Sequence, residues 1–250
     1  MNPTLENLHA RKSVRVFTEQ PITPEVREQI LLAATQAPTA GNQQLYTILH
    51  ITDPARKAAL ADACDHQPFI AHAPLVLVFL ADAQKWYDAY RAQGLAARAP
   101  GAGDLLLAVS DANIAAQNAV TAAWSLGVGS CYIGDIMENV EEHRRLLCLP
   151  PYVFPAAMVV FGYPTAQQQA RPKPQRAALA HIVHDNAYRR MDAAELAAML
   201  TPQSGGKPLA DWLSAFWQRK YESSFAQEMN RSVAIYLDAF RQEGTVSKDC

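Results

Sequence analysis

The stretch Gly127-Val128-Gly129-Ser130-Cys131-Tyr132-Ile133-Gly134-Asp135 follows directly on a long apolar segment, Asp104 to Leu126. Its glycines invite comparison with a dinucleotide-binding fingerprint, and the comparison fails. That fingerprint needs three glycines at fixed steps, on a turn that leaves a strand and opens a helix. Here the third glycine is missing, and the stretch closes a helix instead of opening one. A Rossmann fold is thereby excluded, and Gly101-Ala102-Gly103 matches still less well. What remains is a Gly-rich segment able to expose backbone amides.

Working outward, Asp104 to Leu126 is apolar nearly all round, which predicts a helix running through the core. Pro74 to Ala81 and Val153 to Phe161 are continuous apolar runs, as expected of strands buried on both faces. Pro155 should place a bulge or an edge in the second of them. Tyr46 to Thr52 reads as a further strand. Thr23-Pro24-Glu25 opens a helix with a hydroxyl cap and a proline at its first position. Asp53-Pro54 opens another, which ends near Cys64, and Val140 to Leu147 forms a third before Pro150-Pro151. Ala92 to Gly103, rich in Ala, Gly and Pro, reads as a mobile surface loop. Toward the end, Trp212, Phe216, Tyr221, Phe225, Met229, Val233, Tyr236, Leu237 and Phe240 form an aromatic stripe, expected on one terminal helix that packs on the body or on a second subunit. The alternation gives a mixed α/β layered domain.

The 250 residues are half hydrophobic and 18% charged, with a formal net charge of −2. That balance argues against nucleic acid as a partner, since such binders carry a basic surplus. No apolar run reaches the roughly 20 residues needed to cross a bilayer, and Met1 to Glu6 lacks the basic-then-apolar pattern expected of a secretory signal. The four cysteines, Cys64, Cys131, Cys148 and Cys250, form no CxxC pair, so neither zinc nor a redox disulfide is indicated. They read as free thiols of a cytosolic enzyme.

Four stretches could carry chemistry. Arg11-Lys12-Ser13-Val14-Arg15 offers three cations and a hydroxyl suited to a phosphate. If helical, Arg11 and Arg15 would share a face; a solvated basic helix end would read the same way. Pro38-Thr39-Ala40-Gly41-Asn42-Gln43-Gln44 combines small residues with amides able to address a heterocycle, or is simply a helix-ending turn. The Gly-rich segment 127–135 is the third. Arg171-Pro172-Lys173-Pro174-Gln175-Arg176 is a proline-stiffened basic loop that could reach an anion.

In this order, and with Gln67 ahead of an apolar strand, these motifs resemble the flavin reductase and nitroreductase family, in its larger NADPH-preferring branch. The match runs from about Leu5 to Tyr188, ending in His181-Ile182-Val183-His184-Asp185-Asn186-Ala187-Tyr188. The resemblance implies a nitroreductase-like fold, a central mixed sheet flanked by helices, in an interlocked homodimer with FMN at the interface. It implies an FMN-binding domain over 1–190 and a helical extension over 191–250. Arg11, Lys12, Ser13 and Arg15 would hold the FMN phosphate and the pyrimidine side of the ring. Thr39 would lie near the isoalloxazine, and Gln67 would touch it. Tyr132, Ile133, Gly134 and Asp135 match a segment whose amides point at the flavin, although a second glycine is usual where Asp135 stands. Lys173 and Arg176 match a phosphate-contacting pattern, with Lys173 displaced by one residue. After Tyr188 the likeness thins: in place of a basic, asparagine-rich coenzyme loop stand Ser204-Gly205-Gly206-Lys207 and Gln218-Arg219-Lys220-Tyr221.

The expected activity is therefore oxidoreduction: NADPH, or less readily NADH, reduces the flavin, which then reduces a small electron acceptor such as a nitroaromatic, a quinone or free flavin. The flavin carries the difficult step, so no catalytic side chain is expected. No GxSxG nucleophile elbow exists. Cys131 beside the flavin segment admits a redox reading or simple buried packing. A dedicated-substrate relative, such as an ene-reductase or dehalogenase, and a non-catalytic flavin sensor are the competing functions.

Overall fold

The computed structural model describes residues 2–241, so Cys250 lies outside the described residues. Eleven helices and four strands are described. In chain order they are α1 (Pro3–Ala10), α2 (Pro24–Thr35), β1 (Tyr46–His50), α3 (Pro54–Ala63), α4 (Pro68–Ala71), β2 (Leu75–Asp82), α5 (Gln84–Ala92), α6 (Ala102–Ser125), β3 (Gly129–Ile133), α7 (Val140–Leu147), β4 (Val153–Gly162), α8 (Ala166–Ala170), α9 (Ala193–Leu200), α10 (Leu209–Lys220) and α11 (Ser224–Ala239). The helix starts follow the capping chemistry: the Thr23 hydroxyl accepts from Val26 N, and Asp53 caps α3 through Ala55 N.

The chain groups into two units. The first runs up to Arg171 and resumes at Glu228; the second is Pro172–Gln227. In the first unit the strands form one sheet in the order β1-β2-β4-β3, every neighbouring pair antiparallel. The sheet is thus antiparallel rather than mixed as expected; the parallel pairing of Ser13 with Ser130 is an isolated bridge outside its strands. All of β2 and β4 is buried, as their unbroken apolar runs require. β4 is a central strand, so the edge placement for Pro155 does not hold, while the bulge does. Phe79 pairs Ala157 and Leu80 pairs Pro155, leaving Ala156 as the extra residue where proline has no N–H to give.

The irregular segment expected over Ala92 to Gly103 spans 93–101, between α5 and α6. Two other expectations change. α6 buries one face, from Leu105 to Ala123, and leaves Leu106 66% exposed with Leu107 and Ile114 also open. It runs along the core rather than through it. The aromatic stripe is split between α10 and α11 by the break at 221–223. Its end packs on the body: Tyr236 stands edge-on to Phe154 at 5.0 Å, and Phe240 to Tyr152 at 5.6 Å.

In the second unit, Asp192 and Glu195 form a reciprocal cap on α9, and Arg189 donates to Glu195 at 2.7 Å. Arg219 lies over Phe216 and Lys220 over Phe225.

Candidate functional site

The basic motif is extended, not helical. α1 ends at Ala10, and Ser13 then bridges β3, with Val14 N donating to Ser130 O at 2.9 Å. The tertiary bridge overrides any local helical tendency. An extended chain alternates its side chains, so Arg11, Ser13 and Arg15 share one side while Lys12 and Val14 take the other. Val14 is fully buried. A Cβ at Gly129 would stand 2.7 Å from Val14, and one at Gly162 would stand 2.6 Å from Phe17. These two glycines let the segment 13–17 lie directly on the ends of β3 and β4.

Lys12 departs from its expected role. Its ammonium donates to the carbonyl of Gln169 at 2.6 Å and to that of Arg171, at the C-terminus of α8. Arg171 returns a bond from its guanidinium to Ser13 O at 3.0 Å. Arg11, by contrast, has a buried Nη1 without a partner. An orphaned buried guanidinium nitrogen is costly in the absence of an acceptor. It fits the anionic or carbonyl edge of a ligand.

From Ser130 the strand leads through Tyr132 and Ile133 to a 3-10 turn, Gly134–Met137. Burial pushes the Tyr132 phenol up to about 12, and its hydroxyl donates to Gln117 Oε1 at 3.4 Å. At Gly134 a Cβ would meet nothing within 4 Å, and no positive φ requires glycine there. The fold has no need of a bare backbone at this point, whereas a flat ligand lying against it would.

Gln67, at the start of α4, reaches this turn. Its Nε2 donates to Asp135 Oδ1 at 3.0 Å and to Cys64 O at 2.9 Å. The Asp135 side chain, not only its backbone, is thus engaged. Below the turn, Glu138 is 6% exposed, with one carboxyl oxygen unpartnered. Burial, then the charges of Asp135, Asp65 and Glu228, push its pKa up to about 7. Between the 15–22 segment and α4 opens a cavity of about 590 Å³, lined by Arg15, Phe17, Pro68, Phe69 and His72 among others. That volume suits a small-molecule site.

Thr39 is held rather than loose. Its hydroxyl donates to Asp111 Oδ2 and accepts from Gln44 N at 2.8 Å. Asp111, 3% exposed on α6, also accepts from Ala40 N and Leu45 N, both at 3.1 Å. Sequence reasoning missed Asp111. The available signal was an acid in the middle of an apolar helix. Cys131 is buried, and burial raises its thiol despite Arg15 and Ser13 nearby, which favours packing over redox chemistry. Lys173 and Arg176 belong to the second unit. Among the described residues no group of side chains could hold a metal ion, and no helix is long and apolar enough to cross a membrane.

The nitroreductase family model matches residues 8–163. A Salmonella typhimurium protein named oxygen-insensitive NADPH nitroreductase is 36% identical over 197 residues, 79% of each chain. The Bacillus subtilis FMN reductase [NAD(P)H] is 29% identical over 88% of this chain and 93% of its own. In structure, nitroreductase A from Vibrio parahaemolyticus superposes with a TM-score of 0.81 at 26% identity, covering 96% of this chain and 97% of that one. The sheet order, the bridged basic segment and the glycine turn stand together with these matches: the chain belongs to the nitroreductase family.

Proposed function

We propose that the chain is a cytoplasmic FMN-dependent oxidoreductase that takes reducing equivalents from NAD(P)H, NADPH preferred, and passes them to small acceptors such as nitroaromatics, quinones or free flavin. The observation that carries this reading is the extended segment 11–15. It brings Arg11, Ser13 and Arg15 to one side beside β3, the strand that leads into the Gly134 turn, and it leaves the Arg11 Nη1 buried without a partner. The match to FMN reductases and nitroreductases supports the same activity. The three described cysteines are unpaired, which supports a reducing compartment.

Bound FMN would supply the two-electron chemistry, accepting hydride and releasing it to an acceptor at the same face, in ping-pong order. The chain's own part is to bind and to orient. Arg11 and Arg15 offer charge-assisted contacts to the phosphate and the pyrimidine edge. Lys12 acts one step removed, tying α8 and Arg171 against the segment. Thr39, clamped by Asp111, fixes the loop that borders the ring. Tyr132, Ile133, Gly134 and Asp135 would present backbone to the ring. The exposed leucines of α1 and α6, Leu5, Leu8, Leu106 and Leu107, support a homodimer that covers them.

The test is direct. The purified protein should be yellow, yield FMN on extraction and oxidise NADPH faster than NADH across a panel of acceptors, with parallel double-reciprocal lines. A colourless protein that takes up no FMN, or one that yields FAD, would overturn the assignment. Intersecting lines would overturn only the shared face.

A further inference from the structure

We propose that Asp135 is a positioning residue: its carboxylate locks the Gln67 amide in one orientation, so that Gln67 meets a bound ligand with its oxygen and selects a ligand edge that donates a hydrogen bond. The argument is one of donor and acceptor arithmetic. A main-chain carbonyl and a carboxylate can only accept. Cys64 O and Asp135 Oδ1 lie 2.9 and 3.0 Å from the same terminal atom of Gln67, so that atom is the nitrogen, and both of its hydrogens are used. The amide therefore has only Oε1 left to offer, which can accept and cannot donate.

The backbone is arranged to deliver this residue. Asp65 and His66, directly before Gln67, both sit in the left-handed region, with φ of 59° and 51°. Two consecutive residues with side chains seldom adopt that conformation, and they persist only where the surroundings impose it. Gln67 stands at the cap position of α4 but makes no cap bond with its side chain, which turns to Asp135 instead. Asp135 follows Gly134, whose missing side chain nothing in the fold requires. A glycine in place of Asp135 would leave the Gln67 nitrogen with one hydrogen on Cys64 O and the other free to donate to a ligand. The acid removes that second donor. The identity of the ligand rests on the FMN reading above; the edge selected would then be the imide N–H of the pyrimidine ring, between its two carbonyls.

The experiment compares Asp135→Asn, Asp135→Ala, Gln67→Ala and the double variant Gln67→Ala with Asp135→Ala. FMN affinity is measured by titration, and retention of fold by circular dichroism. Asn keeps an acceptor oxygen and removes the charge, so binding should stay within about threefold of the wild type. Ala leaves Cys64 O as the one remaining acceptor for the amide nitrogen and loosens the side chain, and should weaken FMN about tenfold, roughly one good hydrogen bond. In the Gln67→Ala background the Asp135→Ala change should add nothing. Equal losses for Asn and Ala, an unchanged Kd for Asp135→Ala, or additive effects in the double variant would overturn the proposal. A flavin-independent arm separates it from the functional reading. Without ligand, the Gln67 side-chain amide protons should exchange slowly with solvent in the wild type and in Asp135→Asn, and several-fold faster in Asp135→Ala, where one of their two acceptors is gone. Failure of the wild type to bind FMN, with that pattern intact, sinks the FMN assignment and leaves the lock standing. Fast exchange in the wild type sinks the lock itself.

Discussion

The loop 39–45 and the turn 134–138 each lie over a buried acid, and the two acids behave in opposite ways. Asp111 is surrounded by donors: the Thr39 hydroxyl and two backbone amides. Glu138 is surrounded by other acids, Asp135, Asp65 and Glu228, and one of its oxygens has no partner. A buried carboxylate with donors fastens the chain around it. One with acidic neighbours keeps its proton instead. The first builds a rigid wall, and the second makes the other side of the site sensitive to pH.

The largest effect should come from removing the fastener. Asp111→Ala would orphan two buried amides and should cost about 3 kcal/mol in denaturant unfolding. A loss under about 1 kcal/mol would mean the loop holds itself and the contrast is false. Arg15→Ala should leave the fold intact and weaken FMN ten- to hundred-fold, about 1.5–3 kcal/mol for one charge-assisted contact. Unchanged affinity in titration would remove the segment 11–15 from the site. Glycines sharpen the comparison between packing and binding. Gly129→Ala must push against Val14 at 2.7 Å and should destabilise by about 2 kcal/mol. Gly134→Ala meets open space and should leave the melting point unchanged while weakening FMN; the reverse pattern would show that Gly134 serves only the fold.

The smallest effect concerns Glu138. Its pKa is about 7 in the fold against an ordinary 4.5. Between those values the folded chain holds a proton that the unfolded chain releases, so this group makes stability fall as pH rises through that window. Glu138→Gln should match the wild type near pH 4 and exceed it at pH 8 by on the order of 1 kcal/mol. His143, whose ring nitrogen lies 2.6 Å from the Glu138 carbonyl, has its own pKa lowered by burial. A constant offset between the two proteins at every pH would show that Glu138 is not titrating.

Local chemistry made much of this legible in advance. Val140 to Leu147 begins and ends where its apolar spacing and Pro150-Pro151 put it, and Pro155 marks a real bulge. The basic motif, the glycine turn and Gln67 were visible as residues. Their conformations were not, because each is set by a distant partner. Segment 11–15 is extended because Ser13 meets Ser130; Thr39 is clamped by an acid on α6; Gln67 is turned by Asp135. Single-sequence periodicity reports on neighbours three or four positions away and is blind to pairs that meet only after folding. The two helices of the aromatic stripe were merged for a related reason: the break at 221–223 carries neither glycine nor proline.

The Ser13–Ser130 bridge has a consequence for when the chain can recognise its cofactor. Closing it joins residues more than about a hundred positions apart, a loop-closure cost that the rest of the fold must offset. With segment 11–15 gripping the FMN phosphate as proposed, FMN would bind the folded chain in preference to the unfolded one. Free cofactor at a hundredfold excess over its Kd would then draw the folding equilibrium toward the native state by about 2.7 kcal/mol, and cells short of flavin would carry a measurably larger fraction of this protein open to proteolysis.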